Sequence, residues 1–137
     1  MNATTSKIYS ILFWLFICSS GYAQAAFSNC SAAFLDNKMI VDTYSPFGAC
    51  ILDQTSKGTL TVCTAALSDT ESKAVDKIKI KIDLRDQLTM TLTMYSDETF
   101  TQISIQKIMS KVQPGDHVVL ITMQSEYSLP HNEILVK

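Results

Sequence analysis

Apolar and polar residues alternate with a period of two along most of this chain, the repeat of a β-strand whose two faces meet different surroundings. From Lys77 to Leu84 the alternation is complete. Ile78, Ile80, Ile82 and Leu84 fall on one face, and Lys77, Lys79, Lys81 and Asp83 on the other. One side is expected in a core and the other in water, where its charges also discourage pairing with a foreign edge. Arg85-Asp86-Gln87 predicts a hairpin turn. Leu88 to Tyr95 predicts the next strand, with Leu88, Met90, Leu92 and Met94 alternating against Thr89, Thr91, Thr93 and Tyr95. Ser96-Asp97-Glu98 ends it, and Phe100 to Ile108 resumes an extended pattern through Ile103 and Ile105. Gln113-Pro114-Gly115-Asp116 is a turn, followed by a strand from His117 to Ser125 with Val119, Ile121 and Met123 on one face.

Upstream, Lys38 to Tyr44 predicts a short strand that Ser45-Pro46-Phe47-Gly48 terminates. Ile51 to Leu67 reads as a hairpin around Gln54-Thr55-Ser56-Lys57-Gly58, its second arm setting Leu60 and Val62 against Thr59, Thr61 and Cys63. Ser68 to Ser72 is a polar loop, and Asn132 to Val136 a last short strand after Pro130. Seven or eight short strands with no helix predict an all-β fold, a β-sandwich with Greek-key connections.

The first residues follow a different pattern. Met1 to Lys7 is polar with one positive charge, Ile8 to Cys18 is apolar, and Ser19 to Ala25 is small and polar, closing on Ala23-Gln24-Ala25. This predicts a signal peptide over 1–25, cut before Ala26, because the apolar run falls well short of the ~20 residues of a spanning helix. The single domain is then 26–137, exported to the periplasm or the cell surface. Lys7 leaves with the leader, so ten cationic side chains face thirteen acidic ones, a net charge of −3. A mildly acidic domain with scattered lysines lacks the basic footprint of a nucleic-acid binder, and no second apolar run is long enough to span a membrane.

Three cysteines remain, Cys30, Cys50 and Cys63. In an oxidising compartment an odd count predicts one bridge and one leftover thiol. Spacing leaves the pair open. Cys50 and Cys63 face each other if Ser56 and Lys57 centre a hairpin, whereas Cys30 and Cys63 would close a longer loop, worth about 3–4 kcal/mol on the chain-entropy model.

Catalytic chemistry is not expected. His117 and His131 read as separate surface histidines with no second ligand at metal spacing, and nothing local would activate Cys50 as a nucleophile. Asp97-Glu98 and Asp69-Thr70-Glu71 are acidic pairs in turns, where carboxylates solvate a loop. There is no phosphate-binding glycine loop and no nucleophile elbow. Asn29-Cys30-Ser31 matches a glycosylation sequon. No catalytic residue, metal ligand or cofactor is therefore expected.

Cys30, Val41-Asp42-Thr43-Tyr44-Ser45-Pro46 and the run from Leu52 to Thr64, with its Gly58-Thr59-Leu60-Thr61-Val62-Cys63 strand, resemble the spore coat protein U domain, the family of archaic chaperone–usher pilus subunits. Leu92 to Asp97 is similar to that family's Leu-Tyr-x-Asp segment, and Val112 to Tyr127 to its closing strand. The resemblance implies that Cys30 bridges Cys63 and leaves Cys50 as the extra thiol. It implies a fimbrial or adhesion role and an immunoglobulin-like β-sandwich that is incomplete, of the pilin type. A periplasmic chaperone, then an outer-membrane usher and other pilus subunits, would be its partners by strand addition. Only Ala26 to Asn29 precede Cys30, too few for a donor strand, so polymerisation as an ordinary shaft subunit is not expected. Cys63 shares a face with Thr59 and Thr61, and a buried bridge would need a bulge near Val62.

Glu133 to Lys137 alternates, with Ile134 and Val136 on one side, and this tail is a candidate to fill the groove of its own domain. A second resemblance ranks behind the first. Lys107 to Leu129 is similar to the end of the small immunoglobulin-like curli assembly protein, which implies a periplasmic assembly factor that masks sticky strands.

Overall fold

The computed structural model describes residues 30–67, 72–124 and 126–137. The leader expected over 1–25, Asn29 of the sequon and the acidic pair of Asp69 and Glu71 lie outside the described residues.

The described residues begin with an antiparallel pair whose first strand the alternation did not predict and whose second is the start of the strand expected from Lys38 to Tyr44. β1 (Ser31–Leu35) and β2 (Lys38–Met39) pair with Leu35 opposite Lys38. Only Asp36 and Asn37 lie between them, at φ 49° and 67°. Two central residues at positive φ match the right-handed twist of a tight hairpin, and Asp and Asn tolerate that region best after glycine.

β3 (Cys50–Leu52) and β4 (Thr59–Leu67) follow. The hairpin expected from Ile51 to Leu67 does not form, because its two arms belong to different sheets. β4 pairs with β1, Leu60 opposite Leu35 and Cys63 opposite Ala32. Gly58 sits at φ +124° before β4, and a Cβ there would lie 2.4 Å from Asp36 Oδ2. Asp36 Oδ1 accepts a bond from Thr59 N at 2.9 Å, which ties the first turn to the start of β4.

β5 (Ser72–Ile78) and β6 (Ile80–Arg85) form the most regular stretch of the sequence, split at Lys79. β7 (Leu92–Met94), β8 (Ile103–Ser104), a helix α1 (Ile105–Met109), β9 (His117–Thr122) and β10 (Glu133–Val136) complete the fold. One five-stranded sheet runs β2-β1-β4-β5, with β8 also on β4. The other runs β3-β10-β9-β6-β7. The two sheets share a core. Ala33, Leu60, Val62 and Ile78 of the first meet Ile80, Ile82, Val118, Leu120, Ile134 and Val136 of the second. Each fully buried branched side chain contributes about 1.5–3 kcal/mol relative to exposure.

Three sequence expectations are corrected here. Ile105, Ile108, Met109 and Val112 are buried at the spacing of one helix face, and α1 replaces the extended run expected to Ile108. In β9 Val118 and Leu120 join the core between the sheets and Val119 is buried too, while Ile121 and Met123, expected on its face, are exposed. The strand expected from Leu88 shrinks to β7. Asp86 Oδ1 accepts bonds from Leu88 N at 2.8 Å and Thr89 N at 3.0 Å, and Met90 N donates to Asp86 O at 2.9 Å. The carboxylate draws these amides into a loop, and its pKa falls because the Thr89 and Leu88 amides stabilise its charge. Leu88, Met90, Leu92 and Met94 are 87%, 63%, 49% and 56% exposed, so the expected apolar face is not in the core.

Candidate functional site

β10 builds the site. It runs parallel to β3, with Ile134 opposite Cys50 and Val136 opposite Leu52, and antiparallel to β9, with Ile134 opposite Val118. Its end is held on both flanks. Val136 N donates to Asp116 O at 3.0 Å, Gly115 N to Val136 O at 2.7 Å and Lys137 N to Leu52 O at 2.9 Å. The two candidate tail residues, Ile134 and Val136, are both buried.

Beside β10 opens a cleft of about 770 Å³ between the 44–49 loop, β3 and the 130–133 segment. The loop is shaped by Asp42, whose Oδ1 accepts bonds from Thr43 N at 2.6 Å and Ala49 N at 2.9 Å. The amides of Ala49 and Thr43 lower the Asp42 pKa. Gly48 is needed for space, since a Cβ there would meet the Thr43 carbonyl oxygen at 1.8 Å. Tyr44 lines the cleft, donates its hydroxyl to Ser31 O at 3.1 Å and meets the His131 ring edge-on at 5.3 Å. Burial, followed by the contact with Cys30, raises the Tyr44 pKa.

His117 and His131 both line this cleft together with Cys30 and Cys50. They are half-buried, which replaces the expectation of two separate surface histidines. His131 Nε2 donates to Ser45 O at 2.7 Å, and the buried Nδ1 atoms of both rings have no hydrogen-bond partner among the described residues. Cys50 S–H points at the main-chain carbonyl of His131, 3.7 Å away. Burial, then the Asp42 carboxylate, pushes the Cys50 thiol up to about 11. The thiol thus stays protonated and faces a carbonyl oxygen, the opposite of what activates a cysteine nucleophile. Among the described residues no three His, Cys, Asp or Glu side chains converge on a metal position. What the cleft offers is contact: Pro46, Ile51, Pro130 and Leu135 supply apolar walls, with Tyr44 and the histidines as polar points.

Cys50 and Cys63 are thiols in this structure. Cys50 faces the core between the sheets, whereas Cys63 packs with Ala32 and Phe34 in a second buried cluster. Different clusters hold the two sulfurs, so the Cys50–Cys63 pairing does not fit this fold. Cys63 Sγ lies 3.6 Å from Thr61 Oγ1, and the β4–β5 register shifts between Cys63 and Ala65. Cys30 pairs with Ser128 in an isolated bridge, two residues along from Ala32, the partner of Cys63. Sequence reasoning missed the gathering at the cleft because its partners are remote, Cys50 and His131 lying 81 residues apart.

No family model, no curated protein and no solved structure matches this chain. Among the described residues no helix is long and apolar enough to cross a membrane.

Proposed function

We propose that this chain is an exported immunoglobulin-like binding domain: an assembly or binding factor that docks on another exported protein through the cleft, complete without a donated strand. The observation that carries the reading is β10, which occupies the interior of its sheet between β3 and β9. A pilus subunit of the strand-exchange type needs that place vacant for its chaperone and then its neighbour. Here Ile134 and Val136 of the same chain fill it.

The topology supports the immunoglobulin-like part of the proposal. The opening strands divide between the sheets, β1 on β4 and β3 on β10, and the β5–β6 run crosses from one sheet to the other. The cleft supports the binding part, since its apolar walls and protonated thiol suit contact with a side chain of a partner protein. On this reading export oxidises Cys30 with Cys63 on the neighbouring strand, and Cys50 remains a thiol.

Purification of residues 26–137 without any co-expressed partner tests the proposal. A soluble domain that melts in one cooperative transition is expected. A chain that accumulates only alongside a periplasmic chaperone, or that unfolds over a broad range alone, returns the assignment to the fimbrial subunit. Non-reducing peptide mapping checks the sulfurs: a Cys50–Cys63 link contradicts the fold as well as the reading.

A further inference from the structure

The cleft beside β10 has a floor, two walls and one fixed acceptor, and together these define the side chain it takes. This inference rests on the reading of the cleft as a docking site and specifies its ligand.

The register builds the floor. Ile134 and Val136 are buried in the core, so Glu133 and Leu135 fall on the outer face of β10. Leu135 stands opposite Ile51 of β3 on one side and His117 of β9 on the other. Ile51, Leu135 and the His117 ring therefore form one cross-strand row, a mostly apolar strip along the cleft. The walls add a ring each. His131 Nε2 donates to Ser45 O at 2.7 Å and joins the two walls. The residues next to this bond, Pro46 and Pro130, both line the cleft. Asp42 and Gly48 hold the 44–49 wall in place, so little ordering is left to be done on binding.

Glu133 supplies the polar point. It lies two residues from Leu135 on the same face and gives Oε1 to the Arg85 guanidinium. That pair fixes the carboxylate and matches its charge, while Oε2 takes no bond from the described residues. No lysine or arginine lines the cleft among the described residues. An anionic ligand thus finds no cation to meet, and a lysine finds a carboxylate whose charge is already matched. An aliphatic side chain covers the floor but strips Oε2 of water without giving it a donor, which is unfavourable. A flat ring with one neutral N–H satisfies both the strip and the acceptor.

We propose that the cleft takes a tryptophan side chain of its partner, the indole lying on Ile51 and Leu135 and its N–H donating to Glu133 Oε2. Indole has a large apolar face, few rotatable bonds and a single donor with no acceptor. The cleft volume of about 770 Å³ leaves room for the partner's main chain beside it.

NMR titration of isotope-labelled residues 26–137 with N-acetyl-tryptophanamide tests the assignment. A dissociation constant of about 1 mM is expected for so small a fragment, with upfield ring-current shifts at the Ile51 and Leu135 methyl groups. N-acetyl-1-methyltryptophanamide lacks the donor and is expected to bind at least about tenfold more weakly. Glu133→Gln is expected to weaken the tryptophan amide by a similar factor and to leave the methylated compound unchanged. The melting temperature of the variant checks that its fold is kept, and if it is not, the methylated compound on the parent still decides. A methylated compound that binds as well as its parent overturns the proposal. So does N-acetyl-leucinamide or N-acetyl-lysinamide binding as tightly as the tryptophan amide, and either result leaves the cleft as a docking site. If no compound shifts a cleft signal at about 20 mM, well above the expected constant, the docking reading falls with the proposal.

Discussion

Ile78 and Ile80 are buried in the same core and belong to opposite sheets. Ile78 stands opposite Val62 of β4, and Ile80 stands opposite Thr122 of β9, with Lys79 alone between them. Lys79 is exposed, and its carbonyl accepts a bond from Met123 N at 3.0 Å. The corner keeps the alternation in phase, so one apolar run serves both walls of the sandwich. Ile80→Ala is expected to cost about 2–5 kcal/mol through the cavity it leaves. Lys79→Ala is expected to stay within about 0.5 kcal/mol, as a surface change does. Urea unfolding of the two variants checks this. Equal costs would mean that the corner is not where the chain changes sheets.

The same corner marks the limit of what alternation reveals. Ile78, Ile80 and Ile82 were legible as core residues, and so were Leu60, Val62 and the final strand, because a period of two reports which face is buried. It does not report which sheet a strand joins. Ile51 to Leu67 therefore read as a hairpin although β3 and β4 belong to different sheets. Local hydrogen bonding also overrode the pattern at Leu88 to Met90, where the Asp86 carboxylate holds the amides in a loop. At Ile103 and Ile105 a short period-two run concealed the helix face of Ile105, Ile108, Met109 and Val112, which the sequence did display. β1 was missed for lack of alternation. Ala32, Ala33 and Phe34 are all buried, on both faces of the strand, and only the Asp36-Asn37 turn signalled it. The cleft was out of reach because a parallel β3–β10 pairing joins segments remote in the chain, Cys50 opposite Ile134.

Asp36 and Gly58 supply a second prediction. Gly58 holds φ +124° with Asp36 Oδ2 where a Cβ would go. Gly58→Ala meets both an unfavourable backbone region and that contact, and is expected to destabilise by about 1–3 kcal/mol. Asn37, at φ 67°, gives the reverse case. Asn37→Gly suits the same turn and is expected to be neutral or stabilising by up to about 1 kcal/mol. Thermal melts should show a loss for Gly58→Ala and none for Asn37→Gly, and a shared loss at both positions would contradict the turn assignment.

Cys50 predicts an alkaline response. Burial raises its folded pKa from 9.0 to about 11. The unfolded chain therefore loses the thiol proton first, and stability falls as pH rises above about 9. Below pH 9 both states keep the proton, and the thiol contributes no slope. The decline in melting temperature from pH 9 to pH 10 is expected to be shallower in Cys50→Ala than in the parent, whatever the baseline shift from lost packing. Alkylation of the native protein at pH 8 should likewise be slow at Cys50. Rapid labelling there would contradict a protonated, buried thiol.

The place of β10 in its sheet is the claim on which the rest depends, and amide hydrogen exchange on the intact domain measures it directly. Val136 N is bonded to Asp116 O and Lys137 N to Leu52 O, one partner on each side of the strand. If β10 is a permanent member of the sheet, the Val136 amide exchanges at least about a thousandfold more slowly than an open chain, close to the rate of its neighbours in β9. Exchange of Val136 at open-chain rates, with β9 and β6 still protected, would show a tail that only visits the groove, and would contradict a domain completed by its own last strand.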